Sequence, residues 1–211
     1  MPKVKFALKK MRCLEETNES SASEEPYVLV FASTLKKVAG VVTIPAASTT
    51  MYGPKENVDK GELVATFVSI PGPLGEALNH PSKNFLGLDG KPHELNSPDE
   101  AIFIAALMEN DDAQAGGIRV GFHAQLFAAI TSYANAGMSR ASMGSKLIKD
   151  AKDVLTGVTV IGIASSDDLI GVAEIKYTAA DLVNVNTQTI VKNIELAGDG
   201  GKYRLRFELS K

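Results

Sequence analysis

Tryptophan is absent from the 211 residues, cysteine occurs once, and aromatic residues make up only 6% of the chain. Each scarcity excludes something. A lone Cys13 cannot form an internal disulfide, so nothing marks an oxidising compartment. Without tryptophan, a sugar-stacking cleft of the kind glycosidases use is disfavoured. No apolar run approaches the ~18 residues that a membrane-spanning helix needs. The opening "MPKVKFALKKM" has basic residues but neither an uninterrupted apolar stretch nor a small-residue cleavage site, so it does not read as a signal peptide. The expectation is a soluble protein, cytoplasmic by default, with non-classical export left open. There is no basic excess either: 22 lysines and arginines face 25 acids, for a net charge of −3. The cations are scattered along the sequence, which disfavours nucleic acid as a partner.

What is present is β-rich at both ends. Val4, Phe6 and Leu8 alternate with lysine or a small residue, the period of a half-buried strand continuing to Leu14. "YVLVFAS" (27–33), "VAGVVTI" (38–44) and "ELVATFVSI" (62–70) are short β runs between Gly, Pro, Asn and Ser clusters, and the first third as a whole, with the strand from Val4, reads most simply as a meander. Residues 71–98 hold five prolines and four glycines and read as an irregular connection. In "SPDEAIFIAALMENDD" two signals compete. Ser97-Pro98-Asp99-Glu100 has the form of a helix start, whereas "AIFIAALM" is a continuous apolar run suited to a buried strand.

Ile118, Phe122, Leu126, Phe127, Ile130 and Tyr133 recur near helical spacing up to Gly137. Ser139 can cap a second helix whose apolar face is Met143, Leu147, Ile148, Ala151 and Leu155, with Gly157 at its end. β character returns in "VTVIGIAS" (158–165) and "LIGVAEIKY" (169–177). The terminal stretch alternates on two arms around "GDGG", a hairpin. One domain over 1–211 is expected: an antiparallel β-sandwich with a helical insertion at about 113–157.

Three acidic groups adjoin predicted strand ends: Glu15 to Glu25, "ENDD" (109–112) and "SSDD" (165–168). Each alone is most simply a solvated loop. Together they suit calcium, a hard cation that takes carboxylate and carbonyl oxygens in flexible geometry. No EF-hand loop is present, so any site must be assembled from distant loops.

"SEEPYVLVF" (23–31), "LMEND" (107–111) and "SDDLIG" (166–171) resemble, in the right order, the Ser-Asp-Pro-Tyr-Val, Asp-x-Asp and Asp-Phe-Ile-Gly elements of the C2 domain family. That family is a calcium- and phospholipid-binding β-sandwich. The resemblance implies calcium ligands at Glu25, Glu109, Asp111 and Asp168, with an earlier ligand at Asn18 or Glu19. Asp112 and Asp167 lie beside them in the same clusters. The chain departs from the pattern in two ways. Glutamate replaces aspartate at Glu25 and Glu109, and residues 112–167 separate elements that lie close together in the family.

Catalytic signals are weak. His80, His93 and His123 form no metal-ligand pair at helical spacing. No Gly-x-Ser-x-Gly elbow supports a nucleophile, and "GDGGK" is too short for a phosphate loop. The leading expectation is a non-catalytic calcium-binding module that recognises a phospholipid, glycan or protein surface through its acidic loops. A calcium-independent interaction or structural protein using the helical insertion is the alternative, with a hydrolase third.

Overall fold

The computed structural model describes residues 2–16, 24–38, 40–64, 93–111, 115–156 and 167–211. The expected strand segments 65–70 and 158–165, the connection through residue 92, Gly157, and the candidate residues Asn18, Glu19, His80 and Asp112 lie outside them.

Among the described residues the strands form two antiparallel sheets. The first comprises β1 (Lys3–Glu15), β4 (Leu63–Val64), β8 (Ile190–Gly198) and β9 (Gly201–Ser210) in the order β4-β1-β9-β8, with β5 (His93–Glu94) also paired to β1. The second has the order β3-β2-β6-β7, from β2 (Pro26–Val38), β3 (Val41–Tyr52), β6 (Ala101–Glu109) and β7 (Leu169–Glu174). The expected meander is corrected here. β2 and β3 form a hairpin, but β1 pairs with β9 in the opposite sheet, because its apolar face is needed against the other sheet rather than beside β2.

Helices α1 (Ala115–Asn135) and α2 (Arg140–Thr156) lie on the outer face of the second sheet. The layers are therefore helix, sheet, sheet. The alternation of side chains along β2 and β6 divides them between two cores. Val28, Val30, Ala32, Phe103, Ala105 and Leu107 point into the sandwich, while Tyr27, Leu29, Phe31, Ile102, Ile104 and Met108 point toward Phe122, Leu126, Ile130, Met143 and Leu147. Every residue of β6 is buried.

This resolves the competing signals in "SPDEAIFIAALM". A single 3-10 turn, Pro98–Glu100, is capped by Ser97, whose side chain accepts a bond from the Asp99 N–H, and the strand follows immediately. A continuous apolar run is what a strand covered on both faces requires. The helical pair also forms as expected: Ser139 Oγ accepts the Ser142 N–H at 3.2 Å. Asp199 and Gly200 turn the terminal hairpin with φ of 48° and 79°, the positive pair that two-residue hairpin turns demand. A short helix, α3 (Ala179–Asn184), was not expected. Its signal is the capping box Thr178-x-x-Asp181, in which each side chain accepts the other residue's backbone N–H.

α2 is clamped to the sheet beneath it. Arg140 pairs with Glu174 of β7, and its Nε and Nη2 donate to the Ala101 carbonyl at 3.3 and 2.9 Å. The Glu174 side chain is 2% exposed and also faces Lys176 Nζ at 3.3 Å. Gly144, one helical turn after Arg140, leaves the space the carboxylate occupies: a Cβ there would stand 2.5–2.8 Å from its atoms. Gly144→Ala is expected to destabilise by about 1–3 kcal/mol through overpacking, and Glu174→Ala by about 3–5 kcal/mol by stranding Arg140. Urea unfolding of the double variant should give less than the sum, because the alanine methyl then meets no carboxylate; strict additivity would refute the clamp.

Candidate functional site

The acidic residues that lie within the described segments do come together, at the end of the second sheet where β2 begins and β6 stops. Register enforces this: Pro26 pairs with Glu109, and Met108 with Leu169. Two further backbone bonds tie the segments, from Glu109 N–H to the Asp168 carbonyl at 2.9 Å and from Asn110 N–H to the Glu25 carbonyl at 3.2 Å. Glu25, Glu109, Asp111, Asp167 and Asp168 are thus neighbours drawn from three stretches of chain.

Protein donors meet three of them, Asp167, Glu109 and Glu25. Asp167, 7% exposed, accepts the Tyr27 hydroxyl on Oδ2 at 2.6 Å and the Asp111 N–H on Oδ1 at 3.0 Å. Glu109, 2% exposed, accepts the Glu25 N–H on Oε1 at 2.7 Å. Glu25 in turn takes the Asn110 amide on Oε2 at 2.8 Å. Hydrogen bonds to a carboxylate are stronger than neutral ones and offset part of the cost of burying it. The arrangement latches three chain segments. Among the described residues, no group of three or more His, Cys, Asp or Glu side chains is placed to hold a metal ion.

The same end of the molecule contains an acid that the sequence reading passed over. Glu24, 6% exposed, accepts the hydroxyl of the fully buried Tyr203, and Glu24 bridges to Val58 through a 3.1 Å backbone bond. Burial, and then the Glu24 carboxylate, hold the Tyr203 phenol protonated. Cys13 lies beside it, its thiol pushed up to about 11 mainly by burial, so it is a packing residue and no nucleophile. A signal for these contacts existed. Tyr27 and Tyr203 stand in apolar runs, where a phenol must find a partner for its hydroxyl. Which acid each would find depends on sheet pairing. Gly53 completes the corner, since at φ +100° its missing Cβ lets the chain pass Pro26 and Tyr27 at distances no side chain could share.

The histidines do not assemble a catalytic group among the described residues. His123 of α1 lies 3.2 Å from Thr49 Oγ1 and stacks on Phe127 at 6.0 Å, while His93 belongs to β5 at the other end of β1. Between the helices runs a cavity of about 330 Å³ lined by Gln125, Ala128, Ala129, Tyr133, Asp150, Asp153 and Val154. There the Tyr133 hydroxyl donates to Asp150 at 2.6 Å, which pushes the phenol up to about 12. No helix among the described residues is long and apolar enough to cross a membrane. Comparison with family models, with curated proteins and with solved structures finds no match for the chain.

Tyr27→Phe removes a donor from buried Asp167 and is expected to cost about 1–3 kcal/mol, read by chemical unfolding; a change within error would show that the phenol is not part of the latch. A pH dependence follows from His123, whose pKa is held below the usual 6.5 by burial and then by Arg119. Because the folded state resists protonation, the unfolded chain binds more protons in that window, so stability is complete above about pH 6.5 and falls as pH drops below it. His123→Gln should flatten this limb of the stability profile.

Proposed function

We propose that the protein is a non-catalytic interaction module that works without calcium and presents its helical layer to a protein partner. The observation that carries this reading is the donor set at the acidic end. Tyr27, Asn110 and the backbone N–H groups of Glu25 and Asp111 donate to the carboxylates of Asp167, Glu25 and Glu109, and for these three acids they supply part of the compensation that a cation would bring. The acids then serve the fold, and the contact surface lies elsewhere.

The outer face of α1 fits that role. Arg119 is the only charged residue in the helix, apart from His123 if protonated, and it reaches inward toward the Thr49 carbonyl. Val120 and Phe127 stand 51% and 42% exposed, with exposed Ala124 and Ala128 on the same helix. A helix apolar on its covered and its open side suits a partner on both. Beside it lies the groove to α2, rimmed by Asp150, Asp153 and Tyr133.

A calcium-binding module is the second reading. It is favoured by the convergence of Glu25, Glu109, Asp111 and Asp168 on one end, the positions that the C2 resemblance implies. Thermal unfolding in millimolar calcium and in chelator separates the two. The proposed function expects the same midpoint in both; a calcium-raised midpoint that Asp111→Asn or Asp168→Asn blunts would replace it with the second reading. Val120→Ser and Phe127→Ser should each change stability by no more than about 0.5 kcal/mol, as surface residues do. A loss several times larger would assign these side chains to the fold and remove the proposed contact face.

A further inference from the structure

The lysines and arginines that lie scattered in sequence are gathered by β1–β9 pairing onto the outer face of the first sheet, the sheet surface the helices leave uncovered. Lys10 stands directly opposite Arg206, and Arg12 directly opposite Arg204. Their neighbours in the strand, Met11, Leu205 and Phe207, are fully buried, so these four cations project to the solvent side. Directly opposed side chains in a sheet lie about 5 Å apart at Cβ, and like charges in that position are destabilising. In a protein of net charge −3, four cations share one such square.

Internal compensation reaches only half of it. Glu195 takes Arg204 at 2.6 Å and Lys202 at 3.3 Å, and Glu208 takes Arg206 at 2.9 Å. Among the described residues, Lys5, Lys9, Lys10 and Arg12 have no carboxylate within ion-pair distance. The uncompensated charge therefore runs along one strand, with Lys3 at its head opposite Glu94. Two of the exposed large apolar residues flank it on the same face: Leu63, 45% exposed and paired with Arg12, and Val191, 38% exposed and paired with Glu208.

We propose that this face docks on an anionic phospholipid bilayer, without calcium. A sheet face that α1 and α2 do not cover lets Lys5, Lys10, Arg12, Arg204 and Arg206 reach one charged surface together, and Leu63 and Val191 provide apolar contact at its rim. A nucleic-acid strand is the less suited polyanion. The aromatic residues of these strands, Phe6, Tyr203 and Phe207, are all fully buried, so the strands' described residues offer no platform on which bases could stack.

The test is co-sedimentation of the full chain with phosphatidylcholine vesicles, with and without phosphatidylserine, in chelator throughout so that the result does not depend on the acidic end. Binding is expected only with phosphatidylserine, weakening as ionic strength rises. Lys10→Ser/Arg12→Ser should lower partitioning about 25-fold, the loss of two cations each worth about fivefold at an anionic surface. Its unfolding midpoint should hold or rise, since like charges are being separated. Lys5→Ser/Lys9→Ser provides a second variant on the same strand with the same expected direction. Lys149→Ser/Lys152→Ser, on the helical layer, should bind as the unaltered protein does. Absence of phosphatidylserine-dependent binding overturns the proposal, as does an equal loss in the helical variant. Retention of short duplex DNA under conditions where vesicles are not bound would also overturn it and assign the face to nucleic-acid phosphate.

Discussion

Strands β2 and β6 pair from Pro26↔Glu109 to Thr34↔Ala101, and over that span neither has a side chain that water reaches freely. A sheet centre of this kind must be covered twice. One cover is the facing sheet, through the cluster that holds Phe6, Phe103 and Phe207 together at ring separations of 4.1 and 5.4 Å. The other is the helical pair, which brings Phe122, Leu126, Met143 and Leu147 onto Leu29, Phe31 and Ile104. Each large apolar side chain so buried is worth about 1.5–3 kcal/mol. The helices are therefore a structural layer, whatever else they do, and the Arg140–Glu174–Gly144 clamp fixes where α2 lies on it.

Complete burial of the central strands also sets the chemistry of their ends. Where β2 starts and β6 stops, the chain must leave a dry interior with its polar groups satisfied. Tyr27, Asn110 and backbone N–H groups meet the carboxylates of Asp167, Glu109 and Glu25 at this exit. Tyr203 and Glu24 do the same across from the other sheet. Within a gathering of negative charge that reads as a metal cradle in one dimension, Asp167, Glu109 and Glu25 are in three dimensions met by donors from their own surroundings. Two outer surfaces then remain for contact: the nearly uncharged open side of α1 and the cationic face of the first sheet. Their chemistry is opposite, so one partner would not fit both.

Much of the architecture was legible locally, because periodicity and capping act over a few residues. The alternation of "KVKFAL", the i, i+4 face of Met143, Leu147 and Ala151, the Ser139 cap and the "GDGG" turn each carry their own geometric cause. Even the ambiguity of "SPDEAIFIAALM" was informative, since the turn and the strand both exist. The placement of β1 was not legible. Its pattern says that one face is buried but carries nothing about the partner strand, and β9 lies almost the whole chain away.

By itself the sequence determined the type of most elements, though not of α3 and not between helix and strand at β6, together with the helical insertion and the concentration of acids at strand ends. Tertiary structure alone decided what those acids touch and where the cations meet. Hydrogen-bond partners such as Tyr27 with Asp167, or Tyr203 with Glu24, are separated by 140 and 179 residues. The Lys10–Arg206 and Arg12–Arg204 pairs depend equally on the β1–β9 register. The physical reason is common to both. Local pattern says which face of a strand is dry, whereas charge on a surface belongs to whichever strands the burial of that dry face has brought side by side.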